Sequence, residues 1–223
     1  MARAVWSPRG PGRHGLAWPQ QGDRLAGGLF SLQPNNSTRQ FEYPWAFYVA
    51  PFSRDLHVLE IGGGMSGLQF ALAQAGAVLS NVDPFRDYGH GPYDAEPSLV
   101  HGKLNRYFRR NVTRYPCTLA EAKLASASFD RISCISTIEH LEWQELCRTV
   151  KAAFSLLREG GLFVSTIDLC LNLVSFTRRE RNEFGVNVPV RELIAETGAD
   201  LLKWTRRSSG RMSSSLLVST RMV

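Results

Sequence analysis

Cysteine is scarce in this 223-residue chain. Its four copies, Cys117, Cys134, Cys147 and Cys170, stand 17, 13 and 23 residues apart. No C-x-x-C pair occurs, which excludes a zinc ribbon and a thioredoxin motif. The N-terminus is basic but has no apolar h-region, so it does not read as a secretory signal. No repeat period is visible. The one charge-free stretch long enough to span a bilayer, residues 61–82, carries five glycines plus Gln69, Gln74 and Asn81, with an acid on each flank. A strand–turn–helix–strand fits it better than a membrane span. The chain is therefore expected to be soluble and cytoplasmic, with reduced thiols and no membrane partner.

Hydrophobic residues make up 43% of the chain and charged residues 21%, the balance of a globular domain rather than a fibre or a disordered polymer. The formal net charge of +6 is unevenly placed: +3 on residues 1–28, +5 on residues 201–223, and −2 on everything between. A folded face built to grip nucleic acid would carry the excess itself. Nucleic acid is thus disfavoured as a partner, although basic arms can bind phosphate backbones. No oligomeric state follows from these features.

Residues 1–28 hold six glycines and three prolines. Residues 1–40 are read as a flexible arm and residues 41–223 as a single domain. An aromatic cluster around Pro44 (Phe41, Trp45, Phe47, Tyr48) predicts a short helix or turn. The periodicity then predicts strand 57–61, helix 66–75, strand 77–82, a Gly/Pro-rich loop over 84–97, helix 99–110, a strand near 117–120 and strand 129–136. After these come helix 142–157 stopped by Gly160-Gly161, strand 162–167, an irregular insert over 168–186, helix 189–197 and strands 200–204 and 216–220. Strand and helix alternate, so the expected fold class is α/β with a mostly parallel sheet.

Gly62-Gly63-Gly64-Met65-Ser66-Gly67 fits G-x-G-x-x-G between a predicted strand and helix. Asp83 lies 19 residues beyond Gly64, at the end of the next strand, where a carboxylate can take both hydroxyls of a ribose. Glu60, two residues before the first glycine, would oppose a diphosphate but suit a ligand with ammonium or sulfonium charge. Together the two acids favour S-adenosylmethionine over NAD as cofactor. A tight turn without a ligand, and a solvated strand-end carboxylate at Glu60, are the bland alternatives.

These residues resemble a known family. Val58-Leu59-Glu60-Ile61-Gly62-Gly63-Gly64 is similar to motif I of the class I S-adenosylmethionine-dependent methyltransferases, and Asn81-Val82-Asp83 to their acidic motif II. Phe129-Asp130-Arg131-Ile132-Ser133 with Ile138-Glu139-His140-Leu141 resembles their fourth-strand motif, and Leu157 to Phe163 the Gly-Gly turn before their fifth strand. The resemblance covers about residues 56–221 in family order. It implies a Rossmann-like, doubly wound sheet of seven strands, the last antiparallel. It also implies cofactor contacts at Glu60, Gly62, Gly63, Gly64, Asp83, Pro84, Glu121 and Ser136. The acid that often contacts adenine is replaced by Leu119, leaving Glu121 or a backbone amide to do the work.

The expected activity is methyl transfer to O or N of a small-molecule acceptor, such as a sugar or secondary metabolite. An NAD-linked oxidoreductase and an RNA-modifying methyltransferase using the basic ends are the alternatives. Displacement at a sulfonium relies on positioning, with a general base where the acceptor must lose a proton. His140, after the fourth strand, is the candidate base; packing at the start of the following helix is its other reading. Asp168 is read as starting a loop, and Tyr43 and Trp45 as a lid or as core. Asp87, His90, Asp94 and His101 match no defined metal site, so no metal is expected. Lys103, Arg106, Arg109, Arg110 and Arg114 are read as a solvated helix face, and Cys117 as structural.

Overall fold

A computed structural model describes residues 39–50, 52–85, 97–170, 172–174, 177–182, 185–205 and 213–219. The reading of residues 1–38 as an arm lies outside them. The first element is helix α1 (Arg39–Val49), so the boundary expected at residue 40 falls inside a helix. Strand β1 (His57–Ile61) enters the glycine loop, helix α2 (Gly67–Gln74) leaves it, and strand β2 (Val78–Val82) follows. Helix α3 (Pro97–Phe108) and strand β3 (Thr113–Tyr115) come next, then β4 (Phe129–Ile135) and a single 3-10 turn (Ile138–His140). Helix α4 (Trp143–Leu156) runs directly into β5 (Leu157–Asp168). A two-residue hairpin, β6 (Arg181–Asn182) and β7 (Gly185–Val186), precedes helix α5 (Val190–Thr197) and strands β8 (Asp200–Thr205) and β9 (Ser213–Ser219).

Strands β3, β2, β1, β4 and β5 lie side by side in that order and are all parallel. Beyond β5, β9 pairs antiparallel with it and β8 antiparallel with β9. The sheet is covered on both faces, as parallel sheets require. Leu59, Ile132 and Phe163 point into a core shared with Leu146, Val150 and Ala153 of α4. Val58, Ile135 and Val164 point the other way, onto Leu68 and Leu72 of α2 and Tyr43 and Ala46 of α1. The chain builds outward from β1 to β3, then restarts at β4 on the other side of β1. The carboxyl ends of β1 and β4 therefore flank a topological switch point, the crevice where α/β sheets bind ligands.

Three sequence expectations are corrected. The strand expected near 117–120 is at Thr113–Tyr115. Pro116 has no N–H to continue the ladder, and the Thr118 N–H and hydroxyl both donate to Glu121 Oε2, at 2.9 and 2.7 Å, to make a turn instead. Helix α4 stops at Leu156, before Gly160-Gly161; these glycines lie in β5, where the register to β4 shifts. Arg114 is on β3, not on the helix face, and its guanidinium lies 5.0 Å from the centre of the Phe85 ring.

Candidate functional site

The glycine loop is fixed by its own side chains. Gly62 has φ +69°, a left-handed conformation that disfavours a side chain, and a Cβ there would overlap the Thr137 side chain that follows β4. The loop thus touches the β4 end across the switch point. A Cβ on Gly63 would lie 2.5 Å from Glu60 Cδ and 2.8 Å from Asn81 Oδ1. Ser66 caps α2, accepting the Gln69 N–H at 3.4 Å while its hydroxyl donates to Glu60 Oε1 at 2.7 Å. The Gly64 carbonyl accepts from Asn81 Nδ2 at 2.8 Å and Gln69 Nε2 at 3.2 Å. The Gly64 N–H donates to Asp83 Oδ2 at 2.8 Å, and the Phe85 N–H to Asp83 Oδ1 at 2.6 Å.

Glu60 does not stand at the mouth of the loop. It is 1% exposed, packed beneath the loop, and its Oε2 meets no hydrogen-bond donor among the described residues. Burial pushes its pKa up to about 7, against the pull of the Ser66 hydroxyl. Behind the loop, His101 of α3 contacts Gln69 Oε1 at 2.9 Å. Because Gln69 Nε2 faces the Gly64 carbonyl, Oε1 must accept, so His101 donates through Nε2–H. Burial, reinforced by Arg114, drops the His101 pKa to about 4 and keeps the ring neutral. His101 is thus a support for the loop; Asp87, His90 and Asp94 lie outside the described residues. Among the described residues no cluster of His, Cys, Asp and Glu could hold a metal ion.

A second polar group gathers at the carboxyl ends of β4 and β5. Ser136 adopts φ +43°, a sparsely populated conformation for a residue with a side chain, held by Thr166, whose backbone carbonyl and Oγ1 accept its N–H at 3.0 and 3.1 Å. The Ser136 hydroxyl donates to Asp168 Oδ2 at 2.7 Å, and the Asp168 N–H to Glu139 Oε1 at 3.2 Å. From α1, Arg39 donates to the Ile135 and Ser136 carbonyls at 3.3 and 3.1 Å and to Glu42 Oε2 at 3.1 Å. Burial raises the pKa of Glu42, and Arg39 opposes it. Burial lifts Glu139 to about 7.

No protein-family profile matches the chain. It is 32% identical over 114 residues to the ubiquinone biosynthesis O-methyltransferase of Azoarcus sp. (strain BH72), a match covering 50% of this chain and 44% of that protein. The match thus spans less than half the length of that curated relative. Among solved structures, the 1,6-didemethyltoxoflavin-N1-methyltransferase of Burkholderia thailandensis superposes with a TM-score of 0.62 at 16% identity, over 95% of this chain and 94% of that one. The magnesium protoporphyrin IX methyltransferase of Synechocystis PCC 6803 superposes with a TM-score of 0.57 at 16% identity, over 90% and 91%. Strand order, motif order and these superpositions agree. The chain shares the fold of these methyltransferases.

Set against that fold, Glu60, Gly62, Gly63, Gly64 and Asp83 come together around one loop. Exposed Pro84 follows Asp83, and buried Ser136 lies across the switch point. Glu121 is exposed and bound to Thr118. His140 is exposed on the 3-10 turn, and its carbonyl accepts from Arg181 of the hairpin. Tyr43, 3% exposed, is core, and Trp45 packs against the same cluster. Asp168 does more than open a loop, because it joins β5 to Ser136. Cys117 is half-buried in the segment after β3. Sequence reading passed over Gln69 and the Arg39–Glu42 pair. The signal for Gln69 was an amide within the apolar run of α2, which buries seven of its eight residues. Among the described residues no helix is long and apolar enough to cross a membrane.

Proposed function

We propose that the chain is an S-adenosylmethionine-dependent methyltransferase that moves a methyl group to O or N of a small-molecule acceptor. The observation that carries this is the loop's hydrogen bonding. A dinucleotide pyrophosphate needs loop and helix N-terminal N–H groups. Here the Gly64 N–H goes to Asp83 and the Gln69 N–H to Ser66. Two carboxylates flank the same loop, and each, when ionised, repels a phosphate. A phosphate-free nucleoside with positive charge fits this cradle, and the buried Glu60 oxygen without a donor supports it. The O- and N-methyltransferase names of the similar proteins support the reaction class.

When bound, S-adenosylmethionine supplies a sulfonium methyl group. In this reading Asp83 holds the ribose through its carboxylate, which offers about four acceptor sites. Glu60 and Gly62–Gly64 line the loop beside it, with Pro84 and Glu121 towards the adenine and the Ser136 backbone towards the methionine end. His140 serves as general base, placed after β4 on the acceptor side and open to solvent for proton release. The domain begins with α1, and its whole sheet is the seven-stranded form with an antiparallel last strand.

The test is transfer of label from S-adenosylmethionine carrying a tritiated methyl group to a panel of phenols, sugars and amines, with RNA in parallel. Label is expected in small molecules. Label in RNA alone would overturn the acceptor class, and NAD-linked turnover without methyl transfer would overturn the reaction.

A further inference from the structure

The group at the β4 and β5 ends is chemically unbalanced. Three carboxylates, Glu42, Glu139 and Asp168, surround one guanidinium, Arg39, and among the described residues three of their oxygens, Glu42 Oε1, Glu139 Oε2 and Asp168 Oδ1, meet no donor. Glu139 is 1% exposed; its Oε1 takes the Asp168 N–H, and its Oε2 is buried without a hydrogen bond. Asp168 Oδ2 takes the Ser136 hydroxyl, and its Oδ1 is likewise buried without one. Ser136 has a single hydroxyl proton, already given to Asp168, so it cannot also serve Glu139. Arg39 is committed to Glu42 and two carbonyls, and Glu42 also lies beside the Thr166 hydroxyl. Orphaned carboxylate oxygens are costly to bury, which is why native structures rarely leave them.

Position narrows what completes the group. It lies at the β4 and β5 ends, across the switch point from the Glu60–Asp83 loop, whose Gly62 touches Thr137. Helix α1 and the β6–β7 hairpin cover it: Gly185 packs so close to the Glu139 carbonyl that a side chain there would overlap it. Asp168 is its half-buried, more accessible member. A compact group with several N–H donors and a positive charge can serve more than one such oxygen; a hydroxyl can serve only one and leaves the charge uncompensated.

We propose that Glu139 and Asp168 form a binding site for an ammonium group carried by the methyl acceptor, so that the substrates are small organic amines. This rests on the methyltransferase reading above. Burial raises the Glu139 pKa to about 7, and a cation bound beside it would favour its ionised form.

Calorimetry on the whole chain tests it. The protein is first titrated with S-adenosylhomocysteine, then, saturated with it, with benzylamine, benzyl alcohol and phenylacetate, which share a ring and differ in charge. Benzylamine is expected to bind about tenfold or more tightly than benzyl alcohol, with phenylacetate weakest. Glu139→Gln and Asp168→Asn, each checked for a native melting transition, are expected to abolish that preference and leave S-adenosylhomocysteine affinity unchanged. Equal binding of amine and alcohol, no binding of either, or a preference surviving in both variants would overturn the proposal. Loss of S-adenosylhomocysteine affinity in the variants would assign the group to the cofactor and overturn it too. Failure of S-adenosylhomocysteine to bind the unaltered protein would instead overturn the methyltransferase reading. If one variant does not fold, the other decides.

Discussion

On the β1–β2 side of the crevice, contacts join residues close in sequence. Glu60 meets Ser66 six residues on, and Gly64 meets Asp83 nineteen residues on. On the β4–β5 side, Arg39 reaches Ser136 across 97 residues, and Ser136 reaches Asp168 across 32. The first side is a glycine loop held by Ser66, Gln69, Asn81 and Asp83, and among the described residues Glu60 Oε2 and Asn81 Oδ1 are its buried oxygens without a donor. The second is assembled from a helix, two strand ends and a 3-10 turn, and leaves carboxylate oxygens without donors. Under the proposed function, the first side would hold the nucleoside and the second the acceptor. Fold constrains the first and leaves the second to individual side chains.

The variant expected to have the largest effect separates turnover from cofactor binding. His140→Ala should lower kcat by about 10²–10⁴-fold with cofactor affinity near that of the unaltered protein, measured with an amine acceptor in steady-state assays. The acidic limb of the pH–rate profile should vanish with it. A surviving limb would remove His140 from the chemistry.

Asp83→Ala should do the reverse, weakening S-adenosylhomocysteine binding by about 1.5–3 kcal/mol in calorimetry, the worth of hydrogen bonds to a charged group. Unchanged affinity in a folded variant would mean that the ribose is held elsewhere and that the two sides are not divided as described.

A smaller effect concerns both sides together. Glu60 and Glu139 each have a folded pKa near 7 against an ordinary 4.5. Between these values the folded chain keeps protons the unfolded chain has lost. Their contribution to stability is therefore full below about pH 4.5, falls as pH rises towards 7, and levels off above. The slope is at most about 1.4 kcal/mol per pH unit for each group. Urea midpoints at pH 5, 6, 7 and 8 should show this fall, halved in Glu60→Gln and absent when Glu139→Gln is added. An unchanged slope in the double variant would assign the pH dependence to other groups.

How much of this the sequence disclosed follows the same division. Strand 57–61 and the placement of helix 66–75 were legible because a short apolar run, three glycines and a capping serine are contiguous. Glu60 and Asp83 were legible as the acids beside the loop, although the burial of Glu60 was not, since periodicity does not say which strand-end carboxylate a loop will cover. Glu139 was visible only as the neighbour of His140, and Asp168 only as the start of a loop. Their joint role depends on β4 and β5 being adjacent in the sheet and on α1 folding over both, which no local pattern specifies. The strand misplaced at 117–120 failed for a local reason, the missing N–H of Pro116 and the competing Thr118–Glu121 turn.

The central claim is that the glycine loop selects a phosphate-free, positively charged nucleoside. Calorimetric titration with S-adenosylmethionine, S-adenosylhomocysteine, NAD and NADP tests it most directly. The account predicts binding of the first two, S-adenosylmethionine gaining on its neutral product as pH rises through 7 and Glu60 ionises, with no detectable binding of NAD or NADP. Binding of NAD or NADP with neither adenosyl compound bound would contradict it.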